Sequence, residues 1–401
     1  MDTVPLVDLA PLVQLLALAA LLALLPLSWV WLRSRRADAR TRLATLTALT
    51  LFLTFDLIVF GSFTRLTDSG LGCPDWPGCY GEASPFGARD EIHAAQTALP
   101  SGPVTFTKAW IEMIHRYLAM VVGALILVMA VFAWVQWRRA RSADPSAKLG
   151  ADPGAAGALP FSPWWPTATL VWVIVQGLFG KYTVTLKLYP AVVTLHLLGG
   201  LALLVLLAIQ HEAFRQRPLA LAAGLRRAAF VVAALLGVQI ALGGWVSTNY
   251  AVLACSGFPQ CNGQWWPTMD FASGFTLLRH LGQAGDGGYL PFDALVAIHM
   301  AHRLAAIVVV AALLWLAWRL RATGEPALGR FGLGLGALAL AQVLSGLSNV
   351  VLGWPIAAAL AHSAGAAGLV LLLALLIART APRTRAAPAP RVLTSTAEGA
   401  A

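Results

Sequence analysis

Eight histidines occur in this 401-residue chain, and four of them recur in a pattern that could do chemistry. His115 and His302 each open a His-Arg pair, with Arg116 and Arg303, inside a long apolar run. His196 and His362 each stand 20 residues after a glutamine, Gln176 and Gln342, and shortly after a proline, Pro190 and Pro355. Ionisable groups are expensive inside a membrane, so each one is a candidate for function. At about 1.5 Å rise per residue, His196 lies ~9 Å and His362 ~10 Å into their helices. His115 lies a few residues inside its own span. At one depth, His115 can face His196 and His302 can face His362, giving two axial pairs for porphyrin iron. Arg116 and Arg303 suit porphyrin propionates, because guanidinium grips carboxylate through two parallel hydrogen bonds. The plainer reading of any one such histidine is a hydrogen bond to a carbonyl of the next helix. Duplication in register argues against that for all four. Copper or zinc would need a third ligand, and none recurs in both halves.

The two halves differ three residues before the His-Arg pair, where Glu112 in the first corresponds to His299 in the second. That spacing shares a helix face with the histidine. Glu112 reads either as an i, i+4 ion pair with Arg116 or as a base or cation stabiliser beside a bound porphyrin. His299 reads as an alternative ligand to His302 or as a supporting group. Asp56, deep in the second span, reads as a second buried carboxylate that pairs with Arg65 or a neighbouring helix. His93 and His280 fall in loops and His211 near a helix end, so solvated positions are expected.

These residues must be positioned by membrane-spanning helices. Hydrophobic residues make up 58% of the chain and charged residues 11%, and the mean hydropathy is +0.72. A soluble domain carries roughly 25% charged residues. Nine apolar runs predict spans at about 10–32, 43–63, 109–136, 164–182, 191–211, 226–247, 293–318, 331–350 and 356–378. The first is too long for a signal peptide and has no basic residue before it. The net charge of +10 could suggest nucleic acid, but its distribution excludes that reading. Arg33, Arg35, Arg36, Arg40 and Arg42 fill one loop, and Arg138, Arg139, Arg141 and Lys148 the next on that side; Arg215–Arg227 and Arg319–Arg330 continue the series. The long segment 64–108 has only Arg65, Arg89 and Lys108. This is the positive-inside pattern. It predicts an outside N-terminus, a cytoplasmic C-terminus and outside loops at 64–108 and 248–292. All four cysteines lie in those two loops. An oxidising compartment then predicts two disulfides, Cys73–Cys79 and Cys255–Cys261. The competing zinc site is disfavoured by the five-residue gaps.

The chain reads as a duplication. Cys73, Pro77, Cys79, Gly81 and Pro85 have counterparts at Cys255, Pro259, Cys261, Gly263 and Pro267, all 182 residues on, and Gly61 matches Gly243 at the same offset. The expected fold is all-α and polytopic, with two pseudo-symmetric four-helix bundles and one extra N-terminal transmembrane helix. Residues 1–42 carry the extra helix and a basic loop, 43–211 the first bundle and 226–378 the second. Linker 140–163 is rich in Ala, Gly and Pro, and 379–401 is expected to be a disordered cytoplasmic tail.

The run Gly61–Leu71, the Cys loop, the segment Ile111–Arg116, the segment Pro190–His196 and their second-half counterparts together resemble the heme A synthase family. The resemblance covers about 43–378. The extra first span departs from the usual eight-helix core, and a second Cys loop is not universal in that family. The resemblance implies an oxidoreductase of cytochrome oxidase assembly, which converts a ring methyl of heme O to the formyl group of heme A through hydroxylated intermediates. It implies that Glu112 is catalytic, that His115 and His196 hold the substrate heme, and that His302 and His362 hold a heme b cofactor. It further implies a bacterial inner-membrane location, heme O synthase and an electron acceptor as partners, and homo-oligomers. The alternatives are a di-heme b-type electron-transfer protein that modifies no heme, and a heme transporter. The Glu112 carboxylate argues against pure electron transfer, which needs none there.

Overall fold

The computed structural model describes residues 7–143, 162–215 and 217–381. Most of the Ala/Gly/Pro linker and nearly all of the tail lie outside those residues. The helices are α1 (Leu12–Ser34), α2 (Ala39–Leu66), α3 (Arg89–Ala98), α4 (Phe106–Ala143), α5 (Trp164–Thr185), α6 (Pro190–Arg215), α7 (Ala223–Thr248), α8 (Phe271–Gly274), α9 (Phe292–Arg321), α10 (Pro326–Val351) and α11 (Ile356–Arg379). The only strands among the described residues, β1 (Val7–Asp8) and β2 (Trp76–Pro77), form one short parallel pair. The protein is an all-α polytopic membrane protein.

Among the described residues, eight helices are long and apolar enough to cross a membrane: α1, α2, α4, α6, α7, α9, α10 and α11. The ninth expected span, α5, forms as a 22-residue helix but is not among those eight. Pro166, Gln176, Lys181 and Tyr182 dilute its apolar content. It still takes its place in the packing, between α4 and α6.

Helix contacts form two closed rings. In the first, α2 packs on α4, α4 on α5, α5 on α6 and α6 on α2; in the second, α7, α9, α10 and α11 close in the same order. The rings meet where α6 and α2 touch α11 and α6 touches α7. The extra helix α1 lies outside, against α4 and α2. Short polar connections end the helices where the sequence places helix breakers. Asp38 caps α2 by accepting from the Thr41 N–H, and Pro326 opens α10, where its missing N–H costs nothing.

The duplication extends to backbone detail. The left-handed residues Asp68, Tyr80 and Gly81 are repeated by Tyr250, Asn262 and Gly263 at an offset of 182. Lys187 and Leu188, which turn the chain between α5 and α6, are repeated 166 residues on by Gly353 and Trp354. Leu188 N–H donates to the Thr183 carbonyl, and Trp354 N–H to that of Asn349. Counterparts also touch each other. Arg65 donates to the carbonyl of its counterpart Ser247 at 2.5 Å, and Tyr250 donates to its counterpart Asp68 at 2.6 Å. Counterparts in contact mark the pseudo-twofold axis, which places both Cys loops at one end of the molecule. At the other end, Arg40 donates to the Ala213 and Phe214 carbonyls and Arg379 to the Arg217 carbonyl. The basic segments therefore gather opposite the Cys loops.

The apolar core fills only part of each bundle. Fully buried residues of the main cluster run from Val121 to Ala133 on α4, Leu201 to Phe214 on α6, Val309 to Leu320 on α9 and Ala367 to Leu376 on α11. Each stretch begins five to seven residues past a histidine, at His115, His196, His302 and His362. Solid packing thus occupies the arginine end, and the four imidazoles sit just above it toward the Cys loops.

Candidate heme-binding site

Each of the four histidines lies over a glycine of a neighbouring helix. An ideal Cβ on Gly61 would stand 2.9 Å from His115 Cε1, on Gly243 3.0 Å from His302 Cε1, on Gly346 3.2 Å from His362 Cε1, and on Gly180 3.5 Å from His196 Cε1. The glycines let an imidazole approach a helix backbone that any larger residue would hold off. Gln176 and Gln342 likewise pack their amides on Gly199 and Gly365. The duplicated Gly61 and Gly243 were visible in the sequence; their role as seats for the rings was not.

In the second bundle the His302 and His362 ring centroids are 6.5 Å apart and nearly perpendicular, at 77°. Two imidazole–metal bonds of about 2 Å each, with the distance from each nitrogen to its ring centre, span about this length. His299, one turn away, is buried and accepts from Arg303 Nε at 3.2 Å. It is committed to the Cys-loop side, whereas His302 is the residue opposite His362.

In the first bundle His115 stacks on Phe60, with centroids 6.3 Å apart and planes at 11°. His115 Nδ1 and His196 Nδ1 have no hydrogen-bond partner. All four imidazoles are partly buried rather than sealed in the core. The donor set fits a porphyrin iron: each bundle supplies two imidazoles, and an axial bis-His site needs no third side chain. Among the described residues no three His, Cys, Asp or Glu converge on one point.

The structure gives Arg116 and Arg303 a task that spacing alone did not reveal. Arg116 donates to the carbonyls of Asp75, Pro77 and Gly78, and Arg303 to those of Cys255, Gly257 and Gln260. Each arginine thus ties its Cys loop to the helix that carries the histidine. Glu112 is buried and uses both carboxylate oxygens. Oε1 accepts from Arg116 at 2.5 Å, and Oε2 accepts from the Cys73 N–H at 2.8 Å. The i, i+4 ion pair considered from the sequence is therefore present, and it extends into the loop. Both loops are closed by disulfides, Cys73–Cys79 and Cys255–Cys261. In the first loop Asp75 accepts from the Tyr80 and Gly81 N–H groups.

Asp56, expected to be buried, is exposed on α2, and Arg65 pairs with Asp68 at 3.1 Å instead. The counterpart of Asp56, Val238, is likewise 59% exposed, so both stand on the outward face of their helices. His93 and His280 are exposed as expected, His280 edge-on to Tyr189. His211 is half-buried, with Nδ1 3.2 Å from the Ala44 carbonyl.

Comparison with known proteins gives the family. Residues 44–376 match the family model COX15-CtaA, described as cytochrome oxidase assembly protein. The heme A synthase of Shewanella oneidensis is 37% identical over 83% of this chain and 94% of its own length. That of Sphingopyxis alaskensis is 30% identical over 81% of this chain and 88% of its own, and that of Maricaulis maris 28% identical over 80% and 90%. With the match spanning both bundles and all four histidines, this chain belongs to the heme A synthase family.

Proposed function

We propose that this protein oxidises a ring methyl of heme O to the formyl group of heme A, through hydroxylated intermediates, with a heme b held in the second bundle. The observation that carries the reading is the asymmetry of two otherwise matched bis-His pairs. Only the first has a buried carboxylate, Glu112, one turn from its histidine. In this reading His115 and His196 bind the substrate heme and His302 and His362 bind heme b, which supplies one-electron transfer. Glu112, fixed between Arg116 and the Cys73 N–H, presents a pre-oriented negative charge beside the first site. Such a charge favours a transition state in which positive charge develops on the substrate, without reorganising during reaction. Arg116 and Arg303 hold the loops that cover each site. The same reading puts the Cys loops outside the cell membrane and the arginine-rich end in the cytoplasm, by the positive-inside rule. It also gives heme O synthase as the supplier of substrate.

The test is Glu112→Gln, which keeps the shape and removes the charge. It should fold, retain heme in both bundles, and accumulate heme O or the hydroxymethyl intermediate when heme O is supplied. Chromatography of extracted hemes reads this directly. Heme A made at the native rate by the Gln variant would refute the role of Glu112. Failure of the wild type to make heme A would refute the enzyme reading and leave electron transfer or transport.

A further inference from the structure

The two bundles treat the far nitrogen of their imidazoles differently. In the second, Ser345 Oγ lies 3.0 Å from His362 Nδ1. The same hydroxyl donates to the Ala341 carbonyl at 2.8 Å, one turn back on its own helix. With its proton used there, Oγ accepts at Nδ1, so His362 is the Nδ1–H tautomer and its Nε2 lone pair is free for a metal. Gln239 places its amide 3.1 Å from His302 Nδ1. Its Oε1 has no partner, and Gln O and N are interchangeable by a half-turn of the amide. As placed, Gln239 Nε2 also donates to the His302 carbonyl at 3.2 Å; a metal on His302 Nε2 leaves Nδ1 as the donor, and the half-turn then exchanges the carbonyl bond for one in which Oε1 accepts from Nδ1–H.

In the first bundle neither contact exists. The counterpart of Gln239 at the offset of 182 is Leu57, and that of Ser345 at the offset of 166 is Phe179. The glycines four and one residues further on, Gly61 and Gly180, keep the register unambiguous, since they seat His115 and His196 as Gly243 and Gly346 seat His302 and His362. Both Nδ1 atoms of the first pair are without a partner. An acceptor at Nδ1–H fixes the ring's orientation and raises its donor strength, and loss of such a partner typically costs about 10- to 100-fold in metal affinity.

We infer that Gln239 and Ser345 are positioning residues that make the second bundle a retentive heme site, and that Leu57 and Phe179 make the first one a site that gives its heme up. This rests on the proposed function, in which the first bundle must release heme A and the second must keep heme b. The difference is written in two side chains behind the ligands rather than in the ligands themselves.

The experiment uses the full-length protein with both hemes bound. It measures transfer of heme to excess apomyoglobin, the midpoint potential and the low-spin EPR signal. In the wild type one heme should leave about 10- to 100-fold faster than the other. Ser345→Ala with Gln239→Leu should bring the slow phase toward the fast one and shift its potential positive, because weaker imidazole donors stabilise ferric iron less. Ser345→Thr, which keeps the hydroxyl, in place of Ser345→Ala should leave both near their wild-type values. The reverse change, Leu57→Gln, should slow the fast phase, and it tests the inference even if the double variant misfolds. Unaltered potential and transfer rates in the folded double variant, or an unaltered fast phase in Leu57→Gln, would overturn the inference. If instead the slow heme survives His302→Ala and His362→Ala unchanged, the assignment of heme b to the second bundle fails first, and the two failures are told apart.

Discussion

Replacing the glycines beneath the histidines tests whether ring placement, and not histidine identity alone, controls heme binding. Carbon atoms rest at about 3.5–4.0 Å. A methyl on Gly61 would stand 2.9 Å from His115 Cε1, so the ring must move by about 0.6–1 Å. On Gly180 the same methyl would stand 3.5 Å from His196 Cε1, an ordinary contact. Without bound iron the imidazole can pivot away. With iron bound it is tethered, so the overlap is felt mainly in the loaded state. Overpacking of this kind costs about 1–3 kcal/mol, which corresponds to roughly 5- to 150-fold weaker heme retention. The opposite sign is expected for folding, since Ala favours a helix over Gly by about 1 kcal/mol.

Gly61→Ala should therefore give a heme-poor first bundle in a protein that is at least as resistant to thermal unfolding when stripped of heme. Gly180→Ala should keep its heme. In the second bundle Gly243→Ala, at 3.0 Å, should be worse than Gly346→Ala, at 3.2 Å. Heme stoichiometry by pyridine hemochrome and the low-spin EPR signals report each site. Equal heme loss from Gly61→Ala and Gly180→Ala, or native heme content in Gly61→Ala, would refute the steric reasoning.

Three further outcomes follow from the loops. Opening Cys73–Cys79 with a double serine substitution removes a closure worth about 2–3 kcal/mol by chain entropy; hydrogen exchange at Cys73 and its neighbours should rise, while exchange across the main core from Val121 to Ala133 stays unchanged. Arg116→Lys should loosen the first loop more than Arg303→Lys loosens the second, because Arg116 also pairs with Glu112 and a lysine cannot reproduce the planar fork; limited proteolysis, compared between residues 80–106 and 262–291, reads the difference. Reporter fusions at 90 and 270 that are active only outside the cytoplasm should both be active, and activity of a cytoplasm-only reporter at either position would overturn the orientation.

The periodic features of the sequence carried the fold a long way. Apolar runs located the nine long helices of the described residues, eight of them apolar enough to cross a membrane, because a span must be continuous to satisfy its backbone in lipid. The offset of 182 gave the Cys loops, and the 20-residue Gln-to-His spacing gave the histidine helices. What stayed hidden depends on direction around a helix or on contacts far apart in the chain. The sequence puts Asp56 inside because depth along a helix is legible and azimuth is not; α2 turns it outward. The bonds of Arg116 and Arg303 to the Cys loops are not legible in the sequence, because those carbonyls, 38 to 48 residues away, leave no trace in local spacing. The glycine seats and the Leu57/Gln239 difference could have been found by applying the repeat offset to every residue of the histidine helices rather than to the motifs alone.

The extra helix sharpens the contrast between the halves. Val7–Asp8 pairs with Trp76–Pro77 in the first Cys loop, and Gly78 lies so close to Pro11 that a Cβ there would come within 2.8 Å of it. The first loop is thus held from three sides, by its disulfide, by the Arg116–Glu112 pair and by the lead-in to α1. The second loop has its disulfide and Arg303, with Asn262 bridging Ser256 and Ala254. The first pair of histidines therefore lies under a loop tied to α1 and α4 and has no partner at Nδ1, whereas the second pair has Ser345 and Gln239 beside it under a loop that α1 does not reach. Exchange of a heme requires either the cover or the ligands to yield. Under the proposed function, with the cover of the first site clamped and Glu112 built into the clamp, yielding at His115 and His196 would let heme pass while the charged group keeps its position from one turnover to the next.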